Sequence, residues 1–153
     1  MPVYLEPQEL DSFLKEGHTV IFTTLDRDGY PHSTPLWYVY LDGHIYTRTM
    51  RNSHKARNAA RDHKVCCLVE TGEHWRDLKA VVIRGRAEEV ADQAERERVF
   101  AALAEKYAAF RQDQGQLPGR VQQHYSQERV VYRVVPEKKV LSWDNRKVRL
   151  RQG

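Results

Sequence analysis

The chain has 153 residues, of which 41% are hydrophobic and 30% charged, enough to bury a core without metal or disulfide staples and suited to a single domain, 1–153, ending in a short basic tail. Its 25 Lys and Arg against 21 Asp and Glu leave a net charge of +4, too slight an excess to imply a nucleic-acid binder but compatible with a small anionic ligand. The opening MPVYLEPQELDSFLKEG has no basic start followed by an apolar run, and no stretch is long enough to span a bilayer, so a cytoplasmic protein that does not engage a membrane is expected.

Pro7 to Lys15 reads as a short helix with Leu10, Phe13 and Leu14 on one face and Gly17 at the cap position. Thr19 to Leu25 is rich in β-formers. Asp28-Gly29 then makes a tight turn, the chain returns as HSTPLWYVYL, and Asp42-Gly43 turns it again into HIYTRT. Two such turns predict a three-stranded meander. Ser53 to Asp62 predicts a short helix with Ser53 as its N-cap. Lys64 to Glu70 is a strand whose adjacent Cys66 and Cys67 point to opposite faces and so do not bridge. No second pair of ligands for zinc accompanies them, and no metal site is expected.

Leu78 to Val90 predicts a long strand, curved at Gly85. Ala91 to Arg111 is the one long helix, with Val99, Phe100, Leu103, Tyr107 and Phe110 on one side. Gln112 to Gly119 reads as loop. Arg129 to Val135 and Lys139 to Trp143 close the β part, with Pro136 between them. Strands outnumber helices and mostly meet through short turns, unlike the βαβ alternation of a parallel sheet. Neither GxGxxG nor GxxxxGK[ST] is present to propose such a sheet. The fold class expected is mainly β (α+β), an antiparallel barrel with flanking helices.

The segment with chemical character is TRTMRNSHKARNAAR, which follows a strand and opens a helix. It gathers Arg48, Arg51, Lys55, Arg57 and Arg61 near free backbone N–H groups and the positive end of the helix dipole. Ser53 adds a hydroxyl. Together these suit a phosphate, against the plainer reading of a solvated basic helix face. In the strand before it, Pro35 cannot donate to a ladder and suggests an edge or a break. Each of Trp37, Tyr38 and Tyr40 taken singly reads best as packing. His54 and His63 read as solvent-facing. His32 and Ser33, adjacent in a strand, point to opposite faces and do not form a nucleophile–base pair.

The ordered set G-Y-P-H-S-T-P-L-W-Y, then Y-T-R-T-x-x-x-S-x-K-x-R-N, then R-G-R-A-E, resembles the pyridoxamine 5′-phosphate oxidase-like split-barrel superfamily, FMN-binding type. The likeness runs from about Leu10 to Asp144 and is nearest the short branch of F420- and FMN-dependent reductases. The resemblance implies a homodimer with cofactor sites at the interface, a small-molecule substrate and no nucleic acid. Carried onto this chain, it implies that Arg48, Thr49, Ser53, Lys55, Arg57 and Asn58 meet the cofactor phosphate. Ser33, Thr34, Pro35 and Leu36 would lie along its ring, and Trp75 or Trp143 could come across the interface. The ring system would carry the redox step, so no catalytic residue is assigned. Between FMN and F420, the longer anionic tail of F420 would suit a groove of Arg51, Arg57, Arg61, Arg146, Lys147 and Arg149. The chain ends in V-R-L-R-Q-G without the Arg-Leu-x-Pro segment of true pyridoxamine-phosphate oxidases, which argues against vitamin B6 oxidation. The alternative is a non-catalytic flavin or tetrapyrrole carrier or sensor on the same barrel. Substrate contacts would come from the loops Thr71 to Asp77 and Gln112 to Gln123.

Overall fold

A computed structural model describes residues 3–125 and 128–153, without the side chains of 124 and 125; Met1 and Pro2 of the opening segment lie outside it. The described elements are α1 (Pro7–Glu16), β1 (Val20–Leu25), β2 (Pro31–Leu36), β3 (Tyr38–Leu41), β4 (His44–Met50), α2 (His54–Arg61), β5 (Lys64–Thr71), β6 (Lys79–Glu89), α3 (Gln93–Lys106), α4 (Gly119–Tyr125), β7 (Arg129–Pro136) and β8 (Leu141–Asp144). The strands form one curled antiparallel sheet in the order β2-β1-β5-β6-β7-β4-β3, with β8 added to β6. This is the mainly β split barrel with flanking helices.

Strand alternation divides the core in two. Phe22, Ile45, Val81 and Val130 point into the barrel with Leu14 of α1 and Ala56 and Ala59 of α2. Tyr46 and Val131, one residue out of phase, face the other way, onto Val99, Leu103 and Tyr107. Asp92 starts α3 by accepting the Glu95 N–H at 2.9 Å.

The expected meander does not form. Residues 32–41 break at Trp37, and the two hairpins, β1–β2 and β3–β4, go to opposite ends of the sheet. Pro35 on the free-edge strand and a set of buried bonds around Tyr38 account for the break. The Tyr38 N–H donates to the Tyr107 hydroxyl at 3.0 Å, the Tyr38 hydroxyl donates to the Leu14 carbonyl at 2.6 Å, and the Lys106 ammonium donates to the Tyr38 carbonyl at 3.0 Å.

The helix read over 91–111 is shorter than expected. It ends at Lys106, Tyr107 leaves helical geometry and stacks on Trp37 at 4.4 Å, and a single 3₁₀ turn, Ala108–Phe110, follows. Another 3₁₀ turn, Gln114–Gln116, and α4 occupy the span read as loop. Among the described residues, no helix is long and apolar enough to cross a membrane.

Candidate cofactor site

Thr49 ends the inward face of β4, and four residues later Ser53 caps the start of α2. The Ser53 Oγ accepts the Ala56 N–H at 3.3 Å and shares a hydrogen bond with Thr49 Oγ1, also 3.3 Å. This cap engages one of the free donors of the first turn; the others suit an anion. Lys55 is half-buried, and among the described residues no carboxylate pairs with it. Burial lowers its ammonium below the ordinary lysine range, with no opposing charge to restore it. A desolvated cation beside a helix start is what a bound phosphate would relieve, so these residues fit the phosphate of a flavin-type cofactor.

β2 forms the adjoining wall. His32 stacks on His54 with ring centres 4.4 Å apart and planes at 2°. The edge strand therefore abuts the first turn of α2. His32, Thr34 and Leu36 face inward, while Ser33 and Pro35 are exposed. The Thr34 hydroxyl and His32 Nδ1 are buried, and neither has a hydrogen-bond partner among the described residues. The Ser33 and Thr23 hydroxyls share a hydrogen bond at 2.8 Å. Pro31 and Pro35, at even spacing, turn their nitrogens to the same side of the strand. Among the described residues only β1 pairs with β2, so the edge without donors can be the free one.

Asn58 has a different use. Its side-chain amide donates to Thr24 Oγ1 at 3.1 Å and to Asp26 Oδ1 at 2.8 Å, and its carbonyl oxygen accepts from Arg61 at 3.0 Å. The Asn58 amide, and after it His54 at 2.8 Å, hold the Asp26 carboxyl below the usual carboxylate range. Asn58 is 2% exposed and thus fastens α2 to the end of β1. Asn58→Ala is expected to cost about 2 kcal/mol in urea unfolding, because Thr24 is left buried and unpaired. A loss below about 0.5 kcal/mol would show that the fastening contributes little.

Arg48 does not join Ser53 and Lys55. It is one residue out of phase with Thr49 and lies on the opposite face of β4, its guanidinium 5.2 Å from the centre of the Phe100 ring. Burial first, then the like charges of Arg129 and Arg111, lower it to about 10. Arg57 is exposed on α2. The basic groove read for a long anionic tail is largely taken up within the chain. Arg51 pairs with Glu89 and Glu128, Arg61 donates to the Leu25 carbonyl, Arg146 pairs with Asp77, and Lys147 pairs with Glu9.

Trp75 and Trp143 are 56% and 38% exposed. Trp143 lies opposite Ala80, and the carbonyl of Trp75 accepts from the Asn145 side chain at 2.7 Å. Both sit by the first half of β6, whereas α2 borders its second half. The Asp26–His54–His32 assembly was missed by sequence reasoning, since nothing local announces a contact across 28 residues.

Residues 6–141 match the family model described as pyridoxamine 5′-phosphate oxidase. A conserved hypothetical protein of Mycobacterium tuberculosis is 30% identical, with a TM-score of 0.80 over 99% of this chain and 94% of that one. A FAD-binding protein of Mesorhizobium loti is 25% identical, with a TM-score of 0.68 over 93% of this chain and 96% of that one. An F420 reductase at 18% identity shares the fold, with a TM-score of 0.63 over 86% of this chain and 94% of that one. No curated protein matches the chain. With nearly the whole barrel covered by the family model, and a structure 30% identical superposing along 99% of the chain, the chain belongs to the pyridoxamine 5′-phosphate oxidase family.

Proposed function

We propose that the chain binds a phosphate-bearing flavin or deazaflavin, FMN or coenzyme F420, and uses it to reduce a small organic acceptor. The observation that carries this reading is Lys55, half-buried and without a carboxylate partner among the described residues, at the first turn of α2 beside Ser53 and Thr49. The FAD-binding protein at 25% identity supports the flavin class. When bound, the ring system supplies the redox chemistry. Ser53, Lys55 and the α2 N–H groups hold the phosphate. Thr34 and His32, with unused polar atoms, and the exposed edge at Ser33 and Pro35 position the ring.

The active form is proposed to be a homodimer with the cofactor between two copies. The exposed Trp75, Leu141 and Trp143 lie away from α2 and would reach a site only on a second subunit. The ion pairs of Arg51, Arg146 and Lys147 take up half of the six-residue groove that favoured F420, so the two cofactors stand level.

Fluorescence titration with each cofactor separates them. A Kd of about 1 μM or below is expected for one of the two. F420 alone would make the protein a deazaflavin-dependent reductase, and FMN alone an ordinary flavoprotein. Binding of neither by the intact dimer at micromolar concentration would overturn the reading.

A further inference from the structure

The outer face of the β4–β7 ladder carries a second gathering of positive charge. Arg48 lies opposite Val131, and Arg129 precedes Val131 by two residues, so the two arginines stand on one face as diagonal neighbours. Arg111 joins them from the chain that follows the Ala108–Phe110 turn. Arg48 is half-buried, and among the described residues no acceptor takes any of its N–H donors. Its guanidinium meets the Phe100 ring, 5.2 Å from the centre, which offers a π face but no carboxylate or carbonyl. Burial, Arg129 and Arg111 all disfavour its charge, and no carboxylate counters them.

The acids nearby are already matched. Glu95 accepts from Tyr46 and Arg133, and Glu88 from Arg133 and Arg86. Glu89 and Glu128 both pair with Arg51, and the charge of Arg96 also acts on Glu89. Four acids thus meet four arginines. Asp113, two residues after Arg111, takes the Gly115 N–H within its own turn. Even with Asp113 set against Arg111, the charges of Arg48 and Arg129 leave an excess of two. Like charges gathered on a half-buried face are costly unless an anion joins them. A single carboxylate would leave part of the excess, whereas a phosphate dianion matches it, and guanidinium forks suit its oxygens.

We propose that Arg48, Arg111 and Arg129 bind a phosphate dianion, free or as the phosphate group of a small ester. The site lies on the opposite face of β4 from the Ser53–Lys55 cradle and does not depend on the cofactor reading.

Calorimetric titration of full-length Lys55→Met, in which the cradle has lost its ammonium, keeps the two sites apart. The probes are inorganic phosphate, phenyl phosphate and acetate at equal ionic strength, without added cofactor. Both phosphates are expected to bind saturably with a Kd of about 1 mM or below, and acetate at least about tenfold more weakly. Tighter binding of phenyl phosphate identifies an ester as the ligand, and equal or weaker binding identifies the free ion. Two further changes in the same background locate the site. Arg48→Met keeps the apolar stem, and Arg111→Gln alters an exposed residue outside helix and strand. Each is expected to weaken both phosphates about tenfold while the protein stays folded by circular dichroism. Absence of saturable heat for either phosphate up to about 20 mM, acetate binding as tightly as phosphate, or unchanged phosphate affinity in either variant would each overturn the proposal, and none of these results touches the FMN and F420 titrations of the parent chain.

Discussion

Gly85→Ala is expected to cost more than about 4 kcal/mol and to leave little soluble protein. A Cβ at position 85 would lie 2.0 Å from the Val135 carbonyl oxygen, 2.8 Å from its carbon and 2.9 Å from the Pro136 Cα. All three are backbone atoms, so no side-chain rotation relieves the overlap. Gly85 opposite Pro136 is where β7 joins β6, just beyond the segment that pairs with β8. The approach is locked from the far side, because the Glu137 and Lys138 N–H groups donate to the Arg84 carbonyl at 3.0 and 3.3 Å. Moving β7 away would break these bonds and open the barrel between β6 and β7. A domain stable by about 5–15 kcal/mol has little reserve for this. Thermal unfolding of whatever soluble fraction remains should show a Tm lower by more than about 10 °C. Gly43→Ala is the control. That residue has φ +79° but nothing within 4 Å of its Cβ position, so only backbone strain of about 1 kcal/mol is expected. Equal Tm values for the two variants would show that the close approach at Gly85 yields without cost.

Much of the fold could be read locally. Asp42-Gly43 has both residues at positive φ, 51° and 79°, as a tight hairpin turn demands, and Gly29 has φ 85°. Ser53 caps its helix and the long strand passes Gly85 as expected. What failed was long-range. The break at Trp37 depends on Tyr107, 69 residues later, receiving the Tyr38 N–H. It also depends on Gly17, where a Cβ would come within 2.1 Å of the Tyr38 hydroxyl. The same demand on Tyr107 shortens α3. A hydrophobic pattern at helical spacing continues through Phe110, but that ring is 60% exposed and meets His18 in a T-shaped contact.

The site divides along the same line. Ser53 and Lys55 belong to one turn of helix, so spacing alone places them together. Arg48 is only five residues before Ser53 and adjacent to Thr49, yet the period of a strand sends it to the other face. Asn58 sits in a motif that spacing groups with the cradle, but its amide is fully engaged by β1. Phase within an element was legible, whereas the partner that arrives from elsewhere was not.

Lys55→Glu is expected to weaken FMN or F420 at least about a hundredfold, because a charge-assisted bond worth about 1.5–3 kcal/mol is replaced by repulsion of the phosphate. Charge reversal could also disturb the fold, so Lys55→Met makes the more discriminating test. The ammonium is partly desolvated and has no carboxylate partner among the described residues, and the methionine keeps the apolar stem while removing the charge. Without cofactor, Lys55→Met should therefore have an equal or higher Tm than the parent. With cofactor, its Kd should rise by at least about tenfold. The pH dependence follows from the lowered folded-state value. The unfolded lysine holds its proton to higher pH than the folded one, so the cofactor-free protein gains stability as pH rises from that lowered value towards 10.5. Lys55→Met should lose this gain, and a bound phosphate, by favouring the ammonium, should suppress it in the parent. A structural lysine would give a lower Tm in Lys55→Met and an unchanged Kd. That pair of results would move the phosphate away from the first turn of α2.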